Sequence, residues 1–277
     1  MKIDTHVHFW KFDKVRDAWI TDNMKTLQED YLPGQLAATL KRNEVDGCIA
    51  VQASQSELET HFLIELSLMH DIIKGVVGWV DLRKDDIEER LHHFSQYPII
   101  KGWRHVVQSE PDDFLAGKDF QRGISLLPLY NYTYDILIYH HQLKPALDLV
   151  TKFPDQRMVI DHCAKPDIAN KKIDEWKVLM KEMAQHPNVY CKLSGLFTEA
   201  AWRKWNPADF YPYLDVVFEA FGTDRLMFGS DWPVMLLSGM YVQWKSLLEK
   251  YMENMEQEDR DKVFGDNAIK FYLINPA

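Results

Sequence analysis

Lys2-Ile3-Asp4-Thr5-His6-Val7-His8 is the stretch on which the reading of this chain turns. Ile3, Thr5 and Val7 alternate with Asp4, His6 and His8, and a period of two over a β-branched run predicts a strand. The alternation sets His6 and His8 on one face, roughly 7 Å apart along the strand. Two imidazoles at that spacing can address one small object: a divalent metal, a water or a polarised carbonyl. A surface strand with two solvated histidines is the plain alternative, since a His-x-His pair alone is a weak signal. Weight comes from a distant partner, Phe228-Gly229-Ser230-Asp231-Trp232-Pro233, where a carboxylate follows an apolar run.

Similar runs recur outward from the first strand. Strands are predicted over 46–52, 74–81, 99–105, 134–139, 157–162, 188–193 and 225–229. Their continuous apolar character suits strands buried on both faces. Helices are predicted over 35–43, 56–70, 87–96, 113–127 (with Gly123 a weak point), 142–153, 173–186 and 210–221, and one or two more over 241–273. Regular βα alternation implies a parallel sheet with right-handed crossovers. Eight such units in a chain of 277 residues fit an α/β fold of one domain over residues 1–277, a single (β/α)8 TIM barrel. A doubly wound open sheet is the alternative, but its Gly-rich turn, G-x-G-x-x-G, does not occur.

Composition narrows the partners. The formal charge of −10 argues against nucleic acid or an anionic membrane. No apolar run reaches transmembrane length, and a strand beginning at residue 2 leaves no room for a signal peptide. Cys48, Cys163 and Cys191 sit inside apolar runs without metal-type spacing, so buried free thiols in a reducing cytoplasm are expected.

In a barrel of this kind the active site lies at the C-terminal strand ends. There the sequence places His6 and His8, Arg104 and His105, His140 and His141, Asp161 and His162, Lys192 and Ser194, and Ser230 and Asp231. Six of the eleven histidines fall at or just past strand ends; His61, His70, His92, His93 and His186 read as surface residues. His140 and His141 could equally cap a helix, and Lys192 could serve a structural ion pair. Arg104 and His105 cannot both point into the barrel, because strand neighbours face opposite sides. Asp231 follows an apolar strand and precedes Trp-Pro, where a buried carboxylate needs a charged or hydrogen-bonding partner.

These segments resemble the amidohydrolase superfamily, in the branch that contains sugar-lactone and pyrone-dicarboxylate lactonases. The resemblance rests on Ile3-Asp4-Thr5-His6-Val7-His8, Lys101-Gly102-Trp103-Arg104-His105-Val106-Val107-Gln108, Val159-Ile160-Asp161-His162, Cys191-Lys192-Leu193-Ser194-Gly195, Leu226–Pro233 and Asn267-Ala268. It implies that His6 and His8 are the first-strand pair, His162 the strand-six histidine, and Asp231 the strand-eight aspartate that activates water. A bridging ligand on strand four is not matched, so two metals are not expected. The resemblance implies either no required cofactor or a single, weakly required divalent metal such as zinc, held by His6, His8 and Asp231.

Chemistry leads to the same group of residues. Lactone hydrolysis needs a base for water and positive character at the carbonyl oxygen. Asp231 supplies the base; His6, His8 and His162 supply the polarising groups; Arg104, His105 and His141 would orient the substrate, with Trp103 and Trp232 against the sugar ring. No G-x-S-x-G elbow occurs, which argues against a serine acyl-enzyme. The expected partner is a small neutral sugar lactone, such as L-fucono-1,5-lactone, with a homodimer as candidate assembly. The rivals are a metal-dependent decarboxylase of the same superfamily, a pyrone-dicarboxylate-type lactonase, and a barrel that only binds a sugar acid.

Overall fold

The strands pair in chain order into one eight-stranded parallel sheet: β1 (Ile3–Val7), β2 (Gly47–Val51), β3 (Ile73–Gly78), β4 (Ile100–His105), β5 (Thr133–Ile136), β6 (Met158–Ile160), β7 (Val189–Leu193) and β8 (Leu226–Phe228). The structure is a computed structural model and describes residues 1–275. Helices Pro33–Arg42, Glu57–Met69, Ile87–Phe94, Lys118–Leu126, Leu143–Lys152, Asp174–Met183 and Tyr211–Phe221 follow β1 to β7, and Tyr241–Tyr251 follows β8. The sheet curls into a nearly closed (β/α)8 barrel. No helix among the described residues is long and apolar enough to cross a membrane.

Burial explains the continuous apolar runs: every residue of β1, β2, β5, β6, β7 and β8 is buried. Outward side chains such as Cys48, Val76 and Trp103 pack under the helices. Inward ones, including Ile49, Val77, Val159 and Met227, pack with Phe271 and Tyr272 of the C-terminal segment. That segment therefore plugs one end of the barrel and leaves the other for polar side chains.

Three local departures from the expected pattern have physical causes. The β1–β2 register shifts between Asp4 and Val7, so strict alternation fails and Asp4 turns toward Tyr241. Strand β6 stops at Ile160 because the next residues enter a left-handed turn, His162 to Lys165. The helix expected over 113–127 shortens to Lys118–Leu126, preceded by the 3-10 turn Phe114–Ala116 and by Gly117.

Gly123 in the middle of Lys118–Leu126 reports how tightly the helix sits on the barrel. A Cβ there would lie 2.2 Å from the Leu82 carbonyl oxygen. Helix propensity favours alanine over glycine by about 1 kcal/mol, but a backbone carbonyl cannot yield as a flexible side chain can. Gly123→Ala is expected to destabilise by roughly 1–3 kcal/mol, read as a lower urea midpoint at unchanged slope. A raised midpoint would show that propensity wins over packing.

Candidate active site

The seam between β1 and β8 builds the centre. No ladder joins these strands; single bonds close the gap instead. Thr5 Oγ1 donates to the Phe228 carbonyl at 2.7 Å, the Asp231 N–H to the His6 carbonyl at 2.9 Å, and the His8 N–H to the Trp232 carbonyl at 2.7 Å. Asp4 Oδ1 accepts from the backbone N–H of Ser230 at 2.8 Å and of His6 at 3.1 Å. Asp231 sits at φ +62°, a left-handed conformation uncommon for a residue other than glycine. The seam thus fixes Asp231 directly against the two histidines of β1.

The side chains converge. His8 Nε2 lies 3.4 Å from Asp231 Oδ1; His6 Nε2 and His162 Nε2 each lie 3.9 Å from it. The two Nε2 atoms of His6 and His8 are 3.2 Å apart. Their tautomers follow from their partners. His8 Nδ1 donates to the Val51 carbonyl at 2.7 Å, which leaves its Nε2 as a lone pair. Arg104 Nη1, always a donor, lies 3.1 Å from His6 Nε2, while His6 Nδ1 lies 3.3 Å from both Lys192 Nζ and Asp161 Oδ1; only Nδ1 has a carboxylate beside it, which favours the tautomer with the proton on Nδ1 and the lone pair on Nε2. His6 Nε2, His8 Nε2 and Asp231 Oδ1 therefore meet at one point, a donor set suited to a cation once Arg104 gives up the His6 lone pair it holds. A tetrahedral zinc ion separates its ligand atoms by about 3.3 Å, close to the spacings found here. His6, His8 and Asp231 fit a single divalent ion. Asp161 does not join them, because its oxygens are already held by cations.

Below the histidines lies a layer of buried charge. Asp161 takes Arg104 at 3.1 Å and Lys192 at 3.0 Å. Lys192 also pairs with Asp135 at 2.5 Å, and the Tyr272 hydroxyl donates to Asp135 at 3.1 Å. Arg104 further donates to the Gln52 carbonyl. Burial alone would raise the Asp161 carboxyl, but Lys192, His6 and Arg104 together hold it well below the usual range. Burial pushes His6 well down and His162 down to about 4, so both rings are neutral near pH 7. Burial also works against ionised Asp231, yet the facing His162 and His8 keep its carboxyl below the ordinary value and thus ionised.

The residues expected at the site divide. Asp231, His162, His6, His8 and Arg104 come together. Trp103 and His105 lie on the outer side of β4: Trp103 packs on Phe94 and Tyr132, while His105 stacks on Phe114 and bonds Glu110 at 2.8 Å. His141 is half exposed, 3.7 Å from Asp112. Trp232 packs edge-on against Tyr31 and Phe9. Asp135 was not expected at the centre, although a carboxylate inside the apolar run Thr133–Ile136 signals a buried partner. Ser194, which holds His162 Nδ1 at 2.8 Å, was visible as a strand-end polar residue.

Residues 3–274 match the amidohydrolase family. An L-fucono-1,5-lactonase of Burkholderia multivorans is 36% identical over 286 residues, covering 99% of this chain and 96% of that protein. An L-rhamnono-gamma-lactonase of Scheffersomyces stipitis is 29% identical over 204 residues, 65% of this chain and 61% of that protein. The crystal structure of a Burkholderia multivorans amidohydrolase with bound zinc superposes with a TM-score of 0.96 at 36% identity, covering 99% of this chain and all of that one.

Gly195, at φ +66°, is the floor beneath His162: an added Cβ would lie 2.5 Å from the imidazole Cγ. Gly195→Ala must displace the ring or strain the backbone. The expected result is a folded protein whose kcat/KM falls by about tenfold or more, since a displacement near 1 Å carries penalties of that order. Unchanged kcat/KM would remove His162 placement from the requirements for turnover.

Proposed function

The chain belongs to the amidohydrolase family, and from that premise we propose that it opens a sugar-acid lactone with water activated by Asp231. The observation that carries this reading is the convergence of His6, His8 and His162 on Asp231 Oδ1 at 3.4–3.9 Å. An ionised carboxylate there accepts a proton from water as the hydroxide adds to the lactone carbonyl. It returns that proton to the ring oxygen as the C–O bond breaks, giving the hydroxy acid. His162 is neutral; its Nδ1 accepts from Ser194 Oγ, and its Nε2–H then donates toward the carbonyl oxygen, where charge develops. A divalent ion held by His6, His8 and Asp231 supplies Lewis acidity when bound.

Substrate charge follows from the state of the cations. Burial of a pyrone dicarboxylate calls for free arginine forks. The Arg104 fork is already committed to Asp161, His6 and the Gln52 carbonyl, and Lys192 to Asp135 and Asp161. Lys165 is left as a single lysine, already 3.9 Å from Glu199, against two carboxylates, so a neutral lactone fits better than a dianion. L-Fucono-1,5-lactone is the first choice, supported by the 36% identity to the L-fucono-1,5-lactonase. In a comparison of kcat/KM on L-fucono-, L-rhamnono-, D-arabinono- and D-galactonolactones and the pyrone dicarboxylate, L-fucono-1,5-lactone should lead. A tenfold preference for the dicarboxylate, about 1.4 kcal/mol in the transition state, overturns the choice.

Asp231→Asn keeps the shape and removes the base, so the chemical step should slow at least about 10²-fold. Near-normal kcat in the folded variant rejects Asp231 as base.

At most one divalent ion is expected per chain, and it is weakly required. Without it, the hydrogen bond from Arg104 still occupies the His6 lone pair and keeps the ring placed. Chelation followed by metal analysis and kinetics should leave substantial turnover. Complete loss, restored by zinc alone, would make the ion obligatory.

A further inference from the structure

The turn after β6 is unusual in its backbone. His162, Cys163, Ala164 and Lys165 carry φ values of 55°, 51°, 56° and 48°. Four consecutive left-handed residues without a glycine cost roughly 1–2 kcal/mol each, so surrounding bonds must hold the turn. They do: Trp176 Nε1 donates to the Cys163 carbonyl at 2.7 Å, the Lys165 N–H donates to the His162 carbonyl at 2.8 Å, and His140 Nδ1 donates to the Lys165 carbonyl at 3.0 Å. A backbone conformation held against such a cost is commonly found at functional sites. At its first residue the turn presents the His162 ring to Asp231. At its last it brings Lys165 to the same side, where its charge bears on both His162 and Asp231.

Lys165 and its neighbour Glu199 are not satisfied there. The Lys165 ammonium is 3.9 Å from Glu199 Oε1, an ion pair too long for a hydrogen bond, and 5.3 Å from the centre of the Tyr139 ring. Among the described residues neither side chain makes a hydrogen bond, although the two are only 16% and 19% exposed. Burial raises the Glu199 carboxyl, with Lys165 opposing and Asp231 adding to the rise. A partly buried lysine whose ammonium donates to no protein group stands beside a partly buried glutamate whose carboxylate accepts from none among the described residues, at the edge of the catalytic centre. A polyhydroxylated ring fills that requirement: one hydroxyl accepts from the ammonium and its neighbour donates to the carboxylate.

We propose that Lys165 and Glu199 form the subsite that recognises adjacent hydroxyl groups of the lactone, with the left-handed turn coupling that subsite to His162. The proposal rests on the lactonase reading for the identity of its ligand. It names specificity residues distinct from those that activate water. The partly buried pair sets the contrast: a site built to bond hydroxyls rejects a ligand lacking them, because its polar groups are then left unpaired.

The test compares L-fucono-1,5-lactone with δ-valerolactone, the same ring without hydroxyls, on the wild type, Glu199→Gln, Lys165→Met and the charge-neutral double variant, each checked by thermal melting. The ratio of kcat/KM for the hydroxylated over the bare lactone should fall at least tenfold in the variants, mostly through KM. Lys165→Arg should recover part of it. An unchanged ratio in folded variants overturns the subsite while leaving lactonase activity standing. If the wild type opens neither lactone, the lactonase reading fails separately, and the subsite is judged by calorimetry with L-fuconate. Binding to the wild type that weakens at least tenfold in the double variant supports it. Absence of binding to the wild type, or equal binding by both, rejects it.

Discussion

Everything at the catalytic end depends on one buried carboxylate, Asp161. It faces Arg104, Lys192 and the Nδ1–H of His6 within 3.3 Å, with no exposure to water. Desolvating such charges is expensive, and removing one member of a buried pair typically costs about 3–5 kcal/mol because the other is left uncompensated. Replacing the whole group with well-packed apolar residues is often neutral or stabilising. The group is therefore poorly explained by stability alone. Its local effect is specific: Asp161 fixes the protonated nitrogen of His6, and so turns the other nitrogen toward Asp231.

The seam and the turn act on that centre from opposite sides. On one side, isolated bonds between β1 and β8 leave room for Asp231 to adopt a left-handed conformation that a regular ladder would not allow. On the other, the left-handed turn after β6 brings His162 over Gly195 and against Ser194. At these two points an unusual backbone brings side chains from separate strands within 4 Å of one another, while the regular strands below carry packing.

That division also explains what the sequence made legible. Strand positions could be read because parallel strands buried on both faces are uniform apolar runs, and the observed strands fall within a few residues of the expected ranges. His6, His8, His162 and Asp231 could be found because polar residues ending such runs are conspicuous. Side-chain direction was less accessible. The β1 bulge that turns Asp4 away from the face of His6 and His8 has no local signature, and β4 could not be resolved into Arg104 inward and His105 outward without a partner to decide it. Glu199 lies in the short helix Leu196–Glu199, in a loop with no periodicity to place it; only the fold brings it to Lys165.

Charge balance gives a last reason for the position of Asp231. In the layer beneath it, Arg104 and Lys192 are matched by Asp161 and Asp135, while burial keeps His6 and His162 neutral. Asp231 is thus a carboxylate surplus to that balance, surrounded by imidazoles and without an arginine or lysine in direct contact among the described residues. A fully paired carboxylate is a poor base, because its partners stabilise the ionised form and oppose proton uptake. An unpaired one in a dry site would take up a proton permanently. The imidazoles around Asp231 lie between these limits: His162 and His8 hold its carboxyl below the ordinary value with no arginine or lysine against it among the described residues, which is the condition under which it can take a proton from water and give it back.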